Sequence, residues 1–335
     1  MISCLRGAGV EVVERHASVW EGRRQSWSAG AGTAARLATA QARLARPLPP
    51  CDAVLVGYPG HADVPLARTL AGRRPLVFDP LVSLSDTLVG DRGRFRAGSL
   101  AARALAAVDR IALRTADMVV ADTEANAAFL ARLGDLPRSE VEVCFVGAEE
   151  RVFRPGWRPE SPFTCLFVGK LIPLHGLETI LEAARIAPEL PFRLVGSGQL
   201  EAQLERRPAN VEWVPWVEYD LLPGELHRCG CALGIFGTSP KASRVIPNKA
   251  FQALACGAPV VTADTPAARE LLADGESALL VPPGDPEALA AALRRLRDDP
   301  ALAARIASGG HAQYRAQASE AVLGTRWRRL LEAVV

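Results

Sequence analysis

The chain has 335 residues, a length that usually makes two domains, each able to bury its own core. Hydrophobic residues account for 49% of the sequence and charged residues for 23%, as in an ordinary soluble enzyme, and no apolar run approaches the roughly 18 residues of a membrane span. The net charge of +2 is too small to indicate nucleic-acid binding, and the seven scattered cysteines favour reduced thiols over a disulfide framework. We therefore expect a cytoplasmic protein without a nucleic-acid partner.

Short apolar runs alternate with helical patterns through the first half of the chain, which predicts an α/β fold with parallel strands. An alanine-rich amphipathic helix is predicted over Leu100–Thr115. Another is predicted over Glu124–Leu133, with Thr123 as its N-cap and Gly134 as its stop. The predicted strands are Val10–Val13, Ala53–Val56, Pro75–Phe78, Met118–Ala121 and Val141–Val146.

The beginning of the chain departs from this pattern. A doubly wound domain normally opens with a central strand and a glycine turn that leads into the first helix. Residues Met1–Gly9 instead have the pattern of the last turns of that helix, followed at once by the strand Val10–Val13. We expect the first strand of the N-terminal domain to be absent, either because the natural start lies upstream or because the domain lacks it.

The strand–helix alternation restarts after a linker rich in proline and glycine, Pro155–Pro162. The simplest arrangement is two doubly wound, Rossmann-like domains in tandem, residues 1–156 and residues 157–314. The predicted strands of the second domain are Phe163–Val168, Phe192–Val195, Val211–Trp213, Ala232–Phe236, Pro259–Thr262 and Ala278–Val281.

Lysine is rare in this chain, since only three of the 39 basic residues are lysines and the rest are arginines. The bias predicts that lysine is kept where a compact ammonium group is needed, although codon drift is an alternative. Lys170 follows a buried strand and the turn glycine Gly169. It should therefore project at the carboxyl end of a strand, where α/β proteins bind their ligands.

A second candidate phosphate site lies at Ile246–Lys249. Asn248 can cap the helix that follows, and Lys249 then lies in its first turn. The helix dipole disfavours a cation there, unless an anion such as a diphosphate lies in front of it. The alternative is an exposed lysine tolerated at a cost of roughly a few tenths of a kcal/mol.

Several stretches of the sequence carry a resemblance to a known family. They are Phe167–Leu171, Leu194–Gly198, Ala253–Val261 and Leu279–Asp285, with weaker agreement at Ala116–Asp122 and Phe153–Pro155. Together they resemble family 4 glycosyltransferases, which have the GT-B fold of two Rossmann-like domains facing across a cleft. The resemblance implies that residues 1–156 form the acceptor side and residues 157–314 bind the donor. It also implies that a C-terminal helix, residues 315–335, packs back on the first domain.

The activity implied by the resemblance is transfer of a hexose from a nucleotide diphosphate sugar, with retention of configuration and without a metal or other cofactor. The acceptor is left open between a glycan, a lipid-linked molecule and a small molecule. The family usually has an arginine after the strand glycine and a lysine five residues later, and these places hold Lys170 and His175 here. We therefore expect the diphosphate to contact Gly169, Lys170, His175, Asn248 and Lys249, with Lys249 also catalytic. A packing or capping role is the alternative for His175.

Departures from the family pattern concern the sugar and the nucleoside. The family commonly has two glutamates separated by seven residues, and those places hold Arg244 and Gln252 here, which indicates a subgroup without the usual pair. Gln252 can bond a ribose hydroxyl, and Arg244 can bind a carboxylated sugar or assist at the diphosphate. The resemblance also places the base at the backbone of Val217 and a ribose hydroxyl at Glu270. A catalytically silent nucleotide-sugar-binding or scaffold protein and an epimerase or hydrolase remain alternative functions.

The first domain supplies one further catalytic candidate and one candidate surface. Asp79 ends a predicted strand where the family often has a histidine near the transferred sugar, so its carboxylate could orient a hydroxyl or stabilise an oxocarbenium-like centre. Capping of the turn is the alternative. The arginine-rich segment Asp91–Arg103 could contact an anionic membrane at its inner face, and a solvated helix start is the alternative.

Overall fold

The structure, a computed structural model, describes residues 1–17, 19 and 31–335. In this part of the chain the first domain contains one parallel sheet whose strands lie side by side in chain order. The strands are β1 (Val54–Gly57), β2 (Leu76–Asp79), β3 (Met118–Ala121) and β4 (Val141–Val143). The helices of this domain are α1 (Ile2–Gly7), α2 (Ala31–Leu44), α3 (Val64–Ala71), α4 (Leu100–Thr115) and α5 (Glu124–Gly134). Because all strands run the same way, their carboxyl ends meet at one edge of the sheet.

Local sequence signals predicted the helices of this domain well. The bounds of α4 are those predicted, and the Thr123 hydroxyl accepts the backbone N–H of Asn126, which confirms it as the N-cap of α5. Gly134 is the last residue of α5, and Asp135 adopts the left-handed conformation after it.

The predicted strand Val10–Val13 is wrong. These residues are extended but pair with no strand in the described chain. Val10 and Val12 pack instead in a cluster that includes Trp327 of the C-terminal helix. Their alternating pattern is therefore satisfied by burial against a helix, and pattern alone does not distinguish the two cases.

The second domain contains a larger parallel sheet in the order β10-β9-β8-β5-β6-β7. Its strands are β5 (Cys165–Val168), β6 (Phe192–Val195), β7 (Val211–Val214), β8 (Cys231–Leu233), β9 (Val260–Ala263) and β10 (Leu279–Val281). Its helices are α6 (Leu177–Ile186), α7 (Leu222–Arg228), α8 (Asn248–Cys256), α9 (Pro266–Leu271), α10 (Pro286–Asp298) and α11 (Pro300–Gln317). The strand order reverses between β5 and β8, and a crevice opens at such a switch point in α/β folds.

The last helix of the chain, α12 (Glu320–Glu332), belongs to the core of the first domain. Leu323, Trp327 and Leu330 are buried in one cluster with Leu5 of α1 and Val77 of β2. The chain therefore leaves the first domain, forms the second and returns. No helix in the described part of the chain combines the length and apolar character that crossing a bilayer requires.

Candidate functional site

The predicted phosphate residues meet at the switch point of the second sheet. Gly169 and Lys170 follow β5, and the segment that leads to Lys249 follows β8, the neighbouring strand. Gly169 has a φ of 152°, and a Cβ on it would lie 2.8 Å from Lys249 Nζ. A side chain at this position would therefore collide with the lysine, and only glycine leaves enough space for it.

Lys249 is a buried ammonium group without a counter-charge. Its Nζ is buried and has no hydrogen-bond acceptor among the described residues. It lies 3.6 Å from the centroid of the Phe167 ring, a cation–π contact that only partly replaces lost hydration. Burial holds the pKa of Lys249 well below its usual value. An unsatisfied cation at a crevice is the kind of feature that an anionic ligand would complete.

His175 supports the turn and does not supply a charge. Its Nδ1–H donates to the Lys170 carbonyl oxygen, and its ring meets the Phe167 ring edge-on with 5.5 Å between centroids. Burial, followed by the charge of Lys249, holds the pKa of His175 well below its usual value. The neutral ring therefore fixes the Gly169–Lys170 turn and keeps its Nε2 on the side away from the carbonyl.

Asn248 does not cap its helix. Pro247 occupies the N-cap position with a φ of −71° and a ψ of 146°, and no side chain caps the helix end. Proline fits because an N-cap residue has non-helical backbone angles and the Pro247 φ is fixed near its observed value. Asn248 is thus the first helical residue, with an exposed side chain beside Lys249.

The side chain of Arg244 contacts residues of the first domain. Its Nη2 donates to Asp86 Oδ2 at 2.7 Å, and its guanidinium lies 4.0 Å from the centroid of Phe129. Its carbonyl oxygen accepts the hydroxyl of Thr123. These contacts make Arg244 a bridge between the domains. Its Nε has no acceptor among the described residues, and the predicted contact with a sugar or diphosphate stays a prediction.

Glu270 is likewise committed to the domain boundary. Its two carboxylate oxygens accept the backbone N–H groups of Glu124 at 2.7 Å and Ala125 at 2.9 Å, at the start of α5. A carboxylate is favoured there by the positive end of the helix dipole. Glu270 therefore links the second domain to the start of α5, and its expected ribose contact stays a prediction.

The two remaining nucleoside candidates lie near one another in the second domain. Gln252 is on α8, where its side chain faces the Tyr219 hydroxyl. Val217 lies in the loop after β7 and packs against the core that contains Phe251. The loop also presents Trp216, whose side chain is 70% exposed. An aromatic surface thus lies where the base was predicted.

Asp79 lies at the carboxyl end of β2, with a second carboxylate beside it. Asp122 directly follows β3, the neighbouring strand, and accepts Asn126 Nδ2 at 2.6 Å. Burial raises the pKa of Asp79 to about 6 and that of Asp122 to about 7, and the charge of Asp79 adds to the second shift. Leu81, two residues after Asp79, is held at a φ of 57°, a strained conformation for leucine. The edge thus holds carboxyl groups that can exchange protons near neutral pH.

A buried aspartate organises the loop that follows Asp79. Asp109, on α4, accepts hydrogen bonds from the backbone N–H groups of Leu84 and Ser85 and from the hydroxyls of Ser83 and Ser85. His61 Nε2 lies 3.6 Å from the same carboxylate. Asp109 therefore fixes the path of the chain from β2 to Asp86.

Sequence reasoning missed the supporting residues of both sheet edges. Asp122 follows a buried strand just as Asp79 does, so the strand-end rule could have found it. Phe167 and Asp109 carry no such signal, because their roles depend on contacts with Lys249 and with a loop 24 to 26 residues away in sequence.

Two surface cavities lie away from this crevice. One, of about 550 Å³, is lined by residues at the amino-terminal edge of the first sheet, including Arg68, Arg73 and Asp117. The other, of about 200 Å³, lies between the linker and α11 and is lined by Phe153, His311 and other residues. Neither contains the residues assembled at the switch point.

Residues 162–299 match the family model described as glycosyl transferases group 1. The second domain is thus similar to the group 1 glycosyl transferases over most of its length. The matched segment contains the Gly169 turn, the Phe167 ring and Lys249, so the similarity covers the residues assembled above. The expected subgroup without the glutamate pair stays a prediction.

Curated relatives extend the likeness beyond that segment. A D-inositol 3-phosphate glycosyltransferase of Nocardioides is 33% identical over 237 residues, 61% of this chain and 51% of the relative. A lipopolysaccharide core biosynthesis glycosyltransferase, LpsD, of Rhizobium meliloti is 26% identical over 162 residues, 48% of this chain and 47% of the relative. The chain spans about half the length of the curated relatives it matches.

Solved structures agree on the fold. Anabaena HepE in complex with UDP and glucose aligns with a TM-score of 0.68 at 19% identity, covering 92% of this chain and 84% of that one. A sucrose-phosphate synthase from Thermosynechococcus elongatus aligns with a TM-score of 0.72 at 18% identity, covering 90% and 78%. The GT-B fold expected from the resemblance is confirmed.

Proposed function

We propose that this chain is a retaining, metal-independent glycosyltransferase that moves a hexose from a nucleoside diphosphate sugar to a hydroxyl-bearing acceptor. The observation that carries the proposal is the buried ammonium of Lys249, without an acceptor, beneath the Gly169–Lys170 turn at the switch point. The family match of residues 162–299 supports the same chemistry.

The proposed reaction breaks the bond between the anomeric carbon and the diphosphate oxygen. The electron pair stays on the diphosphate, and an acceptor hydroxyl oxygen bonds to the anomeric carbon and loses its proton to the departing diphosphate oxygen. Lys249 and Lys170 would stabilise the charge that develops on the leaving diphosphate. Asp79, with a pKa raised to about 6 by burial, suits contact with a sugar or acceptor hydroxyl.

UDP-glucose is the first donor to test. HepE, which shares the fold, has been captured with UDP-glucose, and its complex with UDP and glucose aligns over most of this chain. The exposed Trp216 beside Val217 offers a stacking surface for a base. Both observations support a nucleoside diphosphate hexose, and uracil is the base that the neighbour suggests.

The acceptor side is proposed to lie in the first domain, in front of Asp79. The relatives named above act on an inositol phosphate and in lipopolysaccharide core synthesis, which supports a polyol or glycan acceptor.

A lipid-linked acceptor would suit α4, where Leu100 is 81% exposed and Ile111 55% exposed beside Arg103 and Arg110. Co-sedimentation with vesicles rich in anionic lipid should retain the protein at low salt, and equal recovery in the supernatant with neutral and anionic vesicles would contradict membrane contact.

A catalytically silent nucleotide-sugar-binding protein is the second candidate. It is favoured by the residues at the places of the glutamate pair, because Arg244 is committed to Asp86 and Gln252 cannot carry a charge. Release of UDP from UDP-glucose in the presence of an acceptor panel separates the two. Turnover that is lost in Lys249→Met and kept in Arg305→Met, an exposed cation on α11, supports the enzyme. Tight UDP-glucose binding without turnover supports the silent protein.

A further inference from the structure

One segment of the first domain is fixed directly against the second. Residues Asp86–Asp91 form a single π-helical turn, and Arg92 follows it. Such turns are rare and occur frequently at functional sites. Three hydrogen bonds cross the domain boundary to this segment: from Arg244 Nη2 to Asp86 Oδ2 at 2.7 Å, from Lys241 Nζ to Thr87 Oγ1 at 2.7 Å, and from Gln199 Nε2 to the Arg92 carbonyl oxygen at 3.1 Å.

Gln199 connects Arg92 to the Gly169 turn. It follows the loop Gly196–Gly198, in which the Ser197 carbonyl oxygen accepts the backbone N–H of Leu171 at 3.0 Å. Gly196 is so close to the turn that a Cβ on it would lie 1.9 Å from the Gly169 carbonyl oxygen. The backbone of Arg92 is therefore one hydrogen bond from a loop that packs on the diphosphate turn.

The Arg92 guanidinium is buried and incompletely bonded. Its side chain is 16% exposed, and its Nε has no hydrogen-bond acceptor among the described residues. The carboxylate of Asp91 lies 3.5 Å from that nitrogen, an ion pair too long for a good hydrogen bond. Buried donors normally have partners, so this one points to a missing acceptor.

The charges around Arg92 do not balance. Lys241 interacts with Arg92, Arg244, Asp86 and Asp91, and Arg92 also interacts with Lys170. Burial, and then the neighbouring cation Arg92, lowers the pKa of Lys170. Among Lys241, Arg92, Arg244, Asp86 and Asp91, three cations therefore face two carboxylates, an excess of positive charge that suits a bound anion.

We propose that Arg92 of the first domain binds the donor diphosphate together with Lys170 and Lys249 of the second. The inference rests on the proposed function and adds to it a residue from the opposite domain. A guanidinium suits the task because its fork can bind two phosphate oxygens at once. The phosphate site is then complete only when the two domains face each other as they do here.

The test measures UDP and uridine binding by calorimetry in wild type, Arg92→Gln and Arg94→Gln. Arg94 lies two residues further along the same segment and its side chain is exposed, which makes it a matched control. We expect Arg92→Gln to weaken UDP binding about 10- to 100-fold, the loss of one charged hydrogen-bonding group, and to leave uridine binding unchanged. Arg94→Gln should bind both within about threefold of wild type, as expected of an exposed charge.

Two outcomes would overturn the assignment of Arg92 alone: UDP affinity unchanged by Arg92→Gln, or an equal loss for UDP and uridine, which indicates a structural defect. The proposed function has a separate failure. If wild type binds none of the four ligands UDP, GDP, ADP and inorganic pyrophosphate, both the donor site and the role of Arg92 are overturned.

Discussion

At the scale of single residues, replacing Lys249 should change stability and donor binding in opposite directions. This pair of effects distinguishes a functional role from a structural one. The Lys249 amino group is buried over Phe167 without an acceptor among the described residues, so it lowers the stability of the protein whether it keeps or loses its proton. We expect Lys249→Met to raise the free energy of unfolding by about 1 to 2 kcal/mol, since an apolar chain replaces a buried amino group that has no partner. The same change should weaken UDP-glucose binding at least about 30-fold. Urea unfolding and calorimetry measure the two effects, and a variant that is less stable yet binds normally would make Lys249 structural.

The low pKa of Lys249 also predicts a proton linked to binding. The free protein holds Lys249 with its pKa well below the usual value, whereas a diphosphate beside it would raise that pKa again. Binding should therefore take up a proton and weaken as pH rises between the two pKa values. Calorimetry of UDP-glucose binding in buffers of different ionisation enthalpy measures this uptake, about one proton at most for one lysine. Lys249→Met should abolish it, and uptake that persists in the variant would assign the proton elsewhere.

The carboxyl pair of the first domain predicts how stability depends on pH. Asp122 has its pKa raised to about 7, above the unfolded value near 4, so the folded state keeps a proton that the unfolded state has released. Stability should fall as pH rises from about 4 to 7 and then level off. Asp122→Asn keeps an acceptor for Asn126 and removes the titration. We expect it to be stabilised relative to wild type by about 3 kcal/mol at pH 8 and little at pH 4. Equal stabilisation at both values would contradict the shifted pKa.

At the scale of elements, the start of α5 is held by a residue of the other domain. Glu270 accepts two backbone N–H groups there, which adds charge-assisted hydrogen bonds to the dipole interaction. Glu270→Gln leaves one acceptor and no charge, so we expect a loss of about 1 to 2 kcal/mol in the free energy of unfolding. Glu205→Gln, an exposed glutamate in the second domain, is the control and should change stability little. Similar values for the two variants would mean that the link is not needed.

Sequence patterns predicted elements better than they predicted contacts. The strands Met118–Ala121 and Phe192–Val195 were recognisable because a buried strand needs a continuous apolar run, and the structure places them there. Val10–Val13 was misassigned because Val10 and Val12 pack in a cluster with Trp327, more than 300 residues away. The link from Glu270 to α5 escaped sequence reasoning for the same reason: its partners lie 145 and 146 residues away. Local pattern carries no information on such distant pairs.

The candidate site was predictable to the extent that strand ends define it. Gly169 and Lys170 were selected because they follow a buried strand, and Lys249 because it lies in the first turn of a helix, and the structure brings Gly169 and Lys249 together. The contact of Arg244 with Asp86, 158 residues earlier in the chain, could not be predicted in this way. The residues that depend on one sheet were therefore predictable, and those that depend on how the two domains face each other were not.

At the scale of the whole molecule, the ion pair of Asp86 and Arg244 holds the two domains together without a ligand. Both side chains are largely buried, 18% and 13% exposed, and their N–O distance is 2.7 Å. In such a setting the attraction is less screened by solvent than at the surface, and removing one partner leaves the other unpaired. Asp86→Ala or Arg244→Ala should thus favour the open arrangement, which small-angle scattering would detect as a larger radius of gyration. Saturating UDP-glucose should restore the wild-type value, because the diphosphate supplies a new link between the domains.

A double-mutant cycle gives this prediction its magnitude. If the pair acts as a unit, the double variant should be no more open than either single variant, with a coupling energy of about 1 to 3 kcal/mol in unfolding experiments. Lys241 would remain in place, and its hydrogen bond to Thr87 of the Asp86–Asp91 turn would keep the domains in register. Additive effects of the two substitutions would mean that each residue acts through other partners, and an unchanged radius in both single variants would mean that the pair does not control closure.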